Sequence, residues 1–216
     1  MTRWDGVYSR KKHVYGKHGN GLLWQYLHDA PDGVVLDVGC GEGRNGLMAA
    51  RMGRRVLGID VSSVAVERAN TVAMEEDLPF EAWVANMLTY EYPERAYACV
   101  IGALVLPFVR KSQVVGLLEE FRRATVKGGL FYASALRVDD PDAQAHVGYY
   151  PEVEPGCFWK PDIDEHRSFF DTGELRRMCE SAGYQVVEYL EGVFLEEPEG
   201  EKPHYHRQVQ VIARVP

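Results

Sequence analysis

The sequence has 216 residues, of which 46% are hydrophobic and 26% charged, and a formal net charge of −8. A chain under roughly 250 residues suits one hydrophobic core, so a single domain over residues 1–216 is expected. The acidic balance argues against broad nucleic-acid binding. No apolar run approaches the ~18 residues of a membrane span, and the basic N-terminus lacks the apolar stretch of a secretory signal.

In chain order, Arg10, Lys11, Lys12 and His13 form a short basic run that reads as a solvated stretch. Val34 to Val38 (VVLDV) is short, β-branched and apolar, and predicts a buried strand. Gly39-Cys40-Gly41-Glu42-Gly43 is a turn. Asn45 to Met52 has helical spacing, ended by Gly53. Arg55 to Ile59 predicts a second strand, closed by Asp60. Ser62 or Ser63 caps a helix to about Glu76. Phe80 to Val84 predicts a third strand and Tyr97 to Val105 a fourth. A helix follows over Lys111 to Thr125. Lys127-Gly128-Gly129 turns into a fifth strand, Leu130 to Leu136. Alternation of this kind implies a parallel, doubly wound α/β sheet.

Residues 137–170 break the pattern. The stretch is polar, with four prolines and scattered aromatics, and a loop of this length in a compact domain is usually functional. A helix then runs from Asp171-Thr172 to Ala182. Strands over Tyr184 to Leu190 and His206 to Arg214 close the chain, with Glu196 to Pro203 as a hairpin connection. Cysteines stand at 40, 99, 157 and 179 with no CxxC pair, which points to a reducing, cytoplasmic compartment and to no disulfide framework or zinc site.

A glycine-rich turn between strand and helix lets the backbone approach a ligand and offers helix N-terminal amides to an anion. Gly41-x-Gly43-x-x-Gly46 matches the dinucleotide fingerprint literally, with Asp60 near the position of a ribose-binding acid. Its register is wrong, because that fingerprint should open directly after the strand, and here Gly39-Cys40 would be surplus.

The pattern Asp37-x-Gly39-x-Gly41-x-Gly43, within VLDVGCGEGRN, resembles the first motif of class I S-adenosylmethionine-dependent methyltransferases. The resemblance extends along the chain. RVLGIDVS puts Asp60 where the family's acid holds the ribose hydroxyls. In VANML, Asn86 stands where family members usually place an acid against the adenine amine, and an amide oxygen accepts the same bond. Tyr97 to Val109 looks like the family's fourth motif, and VKGGLF its turn before the fifth strand.

The N-terminal segment WDGVYSRKKHVYGKHGN is similar to small-molecule methyltransferases of the tellurite-resistance and thiopurine type, with Trp4, Asp5, Tyr8, Tyr15, Gly16 and Asn20 at the matching places. Phe169 to Tyr184 resembles that group's late helix. The group's His-Arg pair before the closing hairpin has no counterpart, since Leu195 and Glu196 stand there.

The resemblance implies a Rossmann-like, seven-stranded, mostly parallel sheet in order 3-2-1-4-5-7-6 with the last strand antiparallel. It implies S-adenosyl-L-methionine as cofactor, with residues 1–30 as an arm and helix over it. Tyr8, Tyr15, Asn20, Asp37, Gly39, Cys40, Gly41, Arg44, Asp60, Val61, Asn86, Met87 and Ala103 are its expected cofactor residues. Sulfonium against aromatic faces such as Tyr8 and Tyr15 is favourable.

The expected function is methyl transfer to a small molecule, with S-, Se- or Te-methylation first and O- or N-methylation second. A soft anion needs no base, whereas a hydroxyl or amine does. Residues 137–170 are the expected substrate lid, with Phe108, Tyr149, Tyr150, Phe158 and Trp159 as pocket walls. No catalytic residue is fixed; His166, His206 and Arg207 are candidates, and His146 is a further possible base. Asp162, Asp164, Glu165 and His166 read as a solvated acidic turn; His204-x-His206 shares one face of a strand and reads as an exposed hairpin edge, with a two-histidine metal site as the alternative, so no metal is expected. The rival readings are an NAD-dependent oxidoreductase and a cofactor-binding partner subunit without catalysis.

Overall fold

The computed structural model describes residues 2–16, 18–196 and 202–216. The chain opens with α1 (Arg3–Arg10) and α2 (Gly21–Leu27). Thr2 and Asp5 form a reciprocal cap on α1, and the Asn20 Oδ1 accepts from the Leu22 and Leu23 amides to start α2. Both devices satisfy amides that the first helical turn leaves unpaired. The alternating run follows: β1 (Val34–Val38), α3 (Arg44–Arg51), β2 (Arg55–Asp60), α4 (Ser63–Glu75), β3 (Phe80–Val84), β4 (Tyr97–Ala103), a 3₁₀ turn (Leu106–Phe108), α5 (Lys111–Ala124) and β5 (Thr125–Leu136). Then come α6 (Pro141–His146), β6 (Glu152–Glu154), β7 (Cys157–Lys160), β8 (Glu165–Ser168), α7 (Glu174–Ser181), β9 (Gln185–Glu196) and β10 (His204–Arg214).

The main sheet has seven strands in the order β3-β2-β1-β4-β5-β10-β9. With the three short lid strands left out of the count, this is the expected 3-2-1-4-5-7-6. The first five strands are parallel, and β10 runs antiparallel to both β5 and β9. Both faces are covered, as a parallel sheet requires. On one face Val35, Val56, Cys99, Ile101 and Tyr132 pack with α2, α3 and α4. On the other, Leu36, Ile59, Val100, Phe131 and Val211 pack with α5 and α7. Residues such as Leu36, Ile59 and Phe131 are fully buried, each worth roughly 1.5–3 kcal/mol relative to exposure. No helix among the described residues is long and apolar enough to cross a membrane.

Three expectations change. The fifth strand starts at Thr125 rather than Leu130, because Thr125 already pairs with Tyr97 and the glycine turn bulges out before Leu130 meets Cys99. The last two strands are longer than expected, and their hairpin continues to Glu196 and resumes at His204; residues 197–201 of the expected connection lie outside the described residues. Residues 137–170 are not an open loop. They form α6 and an antiparallel sheet β6-β7-β8, held over a small core of Leu136, Ala143, Phe158 and Phe169.

Candidate active site

The strand order reverses between β1 and β4, and the crevice at the carboxyl ends of such strands is where open α/β sheets bind ligands. A cavity of about 280 Å³ lies there. Its floor is the bend after β1. Gly39 and Gly41 have φ of +63° and +55°, and a Cβ on Gly41 would stand 2.6 Å from the Tyr8 hydroxyl. Only glycine gives both that backbone and that approach.

Two buried carboxylates brace the bend. Asp60, at the end of β2, accepts from the Gly41 amide at 2.9 Å and from the Ser62 amide at 2.8 Å. Asp37, on β1, accepts from the Gly46 amide in the first turn of α3 at 2.8 Å. Burial raises both above the usual carboxylate range, Asp37 to about 7, because a dry site disfavours charge.

α1 roofs the cavity. Its Asp5 is buried and accepts from the Ser62 hydroxyl at 2.9 Å and, more weakly, from the Val64 amide. A carboxylate at the N-terminus of α4 also meets the favourable end of that helix. The Thr2 amide bond, with the Ser62 contact, holds Asp5 well below its ordinary value. With Asp5 anchored, Trp4 and Tyr8 reach the cavity. Trp4 meets Phe108 edge to face, ring centres 4.9 Å apart. Arg44 donates to the Tyr15 carbonyl, and Glu42 accepts from the Val14 amide and Arg68, so the segment after α1 is tied to the bend as well.

The methyltransferase domain family matches residues 35–129. That match spans somewhat under half of the chain, and the relatives it shares include S-adenosylmethionine-dependent methyltransferases. An uncharacterised methyltransferase, YodH, of Bacillus subtilis is 26% identical over 138 residues, 61% of this chain and 58% of that protein. TehB of Haemophilus influenzae, described as a probable S-adenosyl-L-methionine-dependent methyltransferase, is 25% identical over 144 residues, 62% of this chain and 49% of that one. Its crystal structure superposes with a TM-score of 0.69 over 98% of this chain and 66% of that chain, at 20% identity. A Methanosarcina mazei protein described as a SAM-dependent methyltransferase gives 0.73 over 91% and 98%, at 19% identity. The chain spans about half the length of the curated relatives it matches.

The cavity suits S-adenosylmethionine, the cofactor in the names of these relatives. Asp60, with acceptor capacity beyond its two amide bonds, stands at the wall on the β2 side, and Ile59, Met87 and Leu88 offer apolar faces there. Trp4, Tyr8 and Tyr15 offer aromatic faces on the other side, suited to a sulfonium. The glycine bend is a cradle that a side chain at residue 41 would fill. Gly43 is the N-cap residue of α3, and Gly46 packs against Phe80 with its amide on Asp37.

Of the residues expected at the cofactor, all but Asn20 line the cavity. Asn20 caps α2 and donates its amide to Asn45. Asn86 stands at the exposed rim with its Oδ1 accepting from the Leu88 amide. Cys40 is buried and its thiol is pushed well up by burial, so it stays neutral.

Among the expected acceptor walls, Phe108 lines the cavity and the others do not. Phe158 belongs to the lid core. Tyr150 packs on the His146 ring, Tyr149 is exposed, and Trp159 packs on His166.

None of the candidate bases lines the cavity. His166 accepts from Arg110 Nε at 2.8 Å, and burial with the Arg110 charge lowers its value. His146 turns its Nδ1 to the Asp142 carbonyl inside an aromatic cage. His206 is held between Asp140 and Glu196, whose bonds raise it to about 10. Arg207 donates to the Asp139 carbonyl.

Two residues that were not anticipated bear on the cavity, Leu104 in its wall and Arg167 against Phe108. Leu104 lines it in a left-handed conformation, φ +54°, pinned by amide bonds to the Ser134 carbonyl and hydroxyl. Such a backbone costs about 1–3 kcal/mol in a residue with a side chain, and no sequence motif signals it. From the lid, Arg167 lays its guanidinium over the Phe108 ring at 4.5 Å. It pairs with Asp142 at 3.2 Å, and its charge reaches the Tyr15 hydroxyl. An ion pair between Arg3 and Glu165 joins the arm to the lid.

Proposed function

We propose that this protein transfers the methyl group of S-adenosylmethionine to a small, soft anionic acceptor, a thiolate or its selenium or tellurium counterpart. When bound, the cofactor supplies an already activated methyl group. Asp60 holds its sugar, the backbone of residues 39–41 receives its amino-acid part, and Asn86, Met87 and Leu88 border its base. Trp4, Tyr8 and Tyr15 cover the sulfonium side and exclude water. What remains for the chain is to orient the acceptor in line, and proximity alone is able to supply several kcal/mol.

The single observation that carries the acceptor class is the composition of the cavity wall. Among the described residues no histidine lines it. Its three carboxylates each accept from backbone amides, Asp37 from Gly46, Glu42 from Val14 and Asp60 from Gly41 and Ser62, and packing around Tyr8 and Tyr15 pushes both phenols up, Tyr15 to about 12. A wall with no histidine, whose carboxylates are engaged by amide donors, suits an acceptor that arrives as a nucleophile. Arg167, above Phe108, supplies a positive charge on that side. The TehB likeness supports methyl transfer from S-adenosylmethionine.

The test is S-adenosylhomocysteine release with thiols, selenite and tellurite set against phenols and amines. Turnover with the soft anions, rising with pH through the acceptor's own pKa, is expected. Turnover confined to amines or phenols contradicts the acceptor class while leaving methyl transfer intact.

A further inference from the structure

The hairpin of β9 and β10 outruns the sheet. β5 pairs with β10 only as far as Leu136 and Gln208, so His204 to Arg207 are flanked in the ladder by β9. In this overhang His204 lies directly opposite Glu196. His206, two residues on, shares its face, because side chains on a strand alternate. We propose that Glu196, His204 and His206 form a binding site for a divalent transition-metal ion of the zinc type, separate from the cofactor cavity.

The distances suit an ion. His206 Nε2 is 3.2 Å and His204 Nε2 3.7 Å from the same Glu196 oxygen, and one ligand atom from each residue lies within 4.8 Å of the others. Ligand atoms on a tetrahedral ion at ~2.0–2.1 Å stand about 3.4 Å apart. These two separations bracket that value, and the third, between the two imidazoles, is no more than 4.8 Å.

The outer contacts are those of a metal site. A ligating histidine usually gives its second ring nitrogen to a carboxylate or carbonyl, which fixes the ring and aims the other nitrogen at the ion. Here His206 Nδ1 meets both oxygens of Asp140 at 3.1 Å, and His204 Nδ1 meets the Lys202 carbonyl at 3.2 Å. Asp140 is fully buried and is itself fixed by the Asp142 and Arg207 amides. Both Nε2 atoms therefore converge on Glu196.

Two imidazoles and one carboxylate are the donor set of zinc and its neighbours rather than of magnesium or calcium. The side chains of Glu196 and His206 are 12% and 18% exposed and that of His204 43%, which leaves the site open on one side for further ligands. An ion placed there takes the position of the proton that His206 otherwise shares with Glu196.

The test uses the full chain without a histidine tag, freed of metal by chelation and titrated with Co²⁺ alone. One equivalent is expected, with visible bands of a nitrogen–oxygen site, displaced by Zn²⁺. All four cysteines are buried, so no sulfur charge-transfer band accompanies them. Glu196→Gln and His204→Ala should each weaken binding tenfold or more, with thermal unfolding of the metal-free variants showing that they fold. Asp140→Asn should weaken it roughly 10–100-fold as a positioning residue. Arg207→Ala, on the opposite strand face, should leave it unchanged. No Co²⁺ binding by the wild type, or binding that survives both Glu196→Gln and His204→Ala, overturns the proposal.

Discussion

The two halves of the cavity are built from different materials. On the β1–β3 side the ligand-facing groups are main chain and two buried carboxylates, and each carboxylate is anchored to an amide of the sheet's own turns. On the other side the groups are the side chains Trp4 and Phe108, with Arg167 behind Phe108, brought together by ring and cation contacts between segments far apart in the chain. Backbone is hard to change without changing the fold. Side chains are replaced one at a time. The first half is therefore bound to the fold itself, and the second is where an acceptor preference is able to vary.

Four substitutions sharpen this contrast, in order of expected effect. Gly41→Ala puts a Cβ against the Tyr8 hydroxyl at a positive φ, and should weaken S-adenosylhomocysteine binding by about a hundredfold or more by calorimetry. An unchanged affinity would mean that the bend is no cradle. Asp60→Asn keeps the shape and loses the charge. Charge-assisted bonds are worth ~1.5–3 kcal/mol, so a loss of roughly 10–100-fold in the same titration is expected.

Arg167→Gln should leave cofactor affinity alone and raise KM for an anionic acceptor about tenfold. Equal effects on both ligands would erase the division between the halves. Asp37→Asn should change ligand affinity least, and shows its effect through the pH dependence of stability. The folded Asp37 sits at about 7, above the ~3.9 of an unfolded Asp, so the folded state binds more protons. Stability of the metal-free, ligand-free wild type relative to the Asn variant should fall as pH rises from about 4 to 7 and level off above that. Denaturant unfolding at several pH values measures it.

The cofactor half was legible in the sequence because its chemistry is local. Five strands, the bend at residues 39–43 and Asp60 each follow from a few adjacent residues, and a strand ending in glycine reads the same before and after folding. The arm was legible through Trp4, Asp5 and Tyr8, although the work of Asp5, capping α4 from another helix, is a tertiary fact. The lid was not. Its strands are three or four residues long, shorter than any window in which alternation shows, and its aromatic residues mostly serve its own core. Arg167 and Leu104 were missed for the same reason, since neither lies in a pattern and both matter through what they face. His204 and His206 read as a hairpin edge because Glu196 joins them only when the register of β9 and β10 is known.

The central claim is that the bend after β1 and Asp60 together receive the sulfonium cofactor. A crystal structure with S-adenosylhomocysteine tests it most directly. The ribose hydroxyls should lie within hydrogen-bond distance of Asp60, with the amino-acid part against the Gly39–Gly41 backbone and the sulfur facing Trp4 and Tyr15. A ligand bound elsewhere, or a ribose that leaves Asp60 uncontacted, would contradict the account.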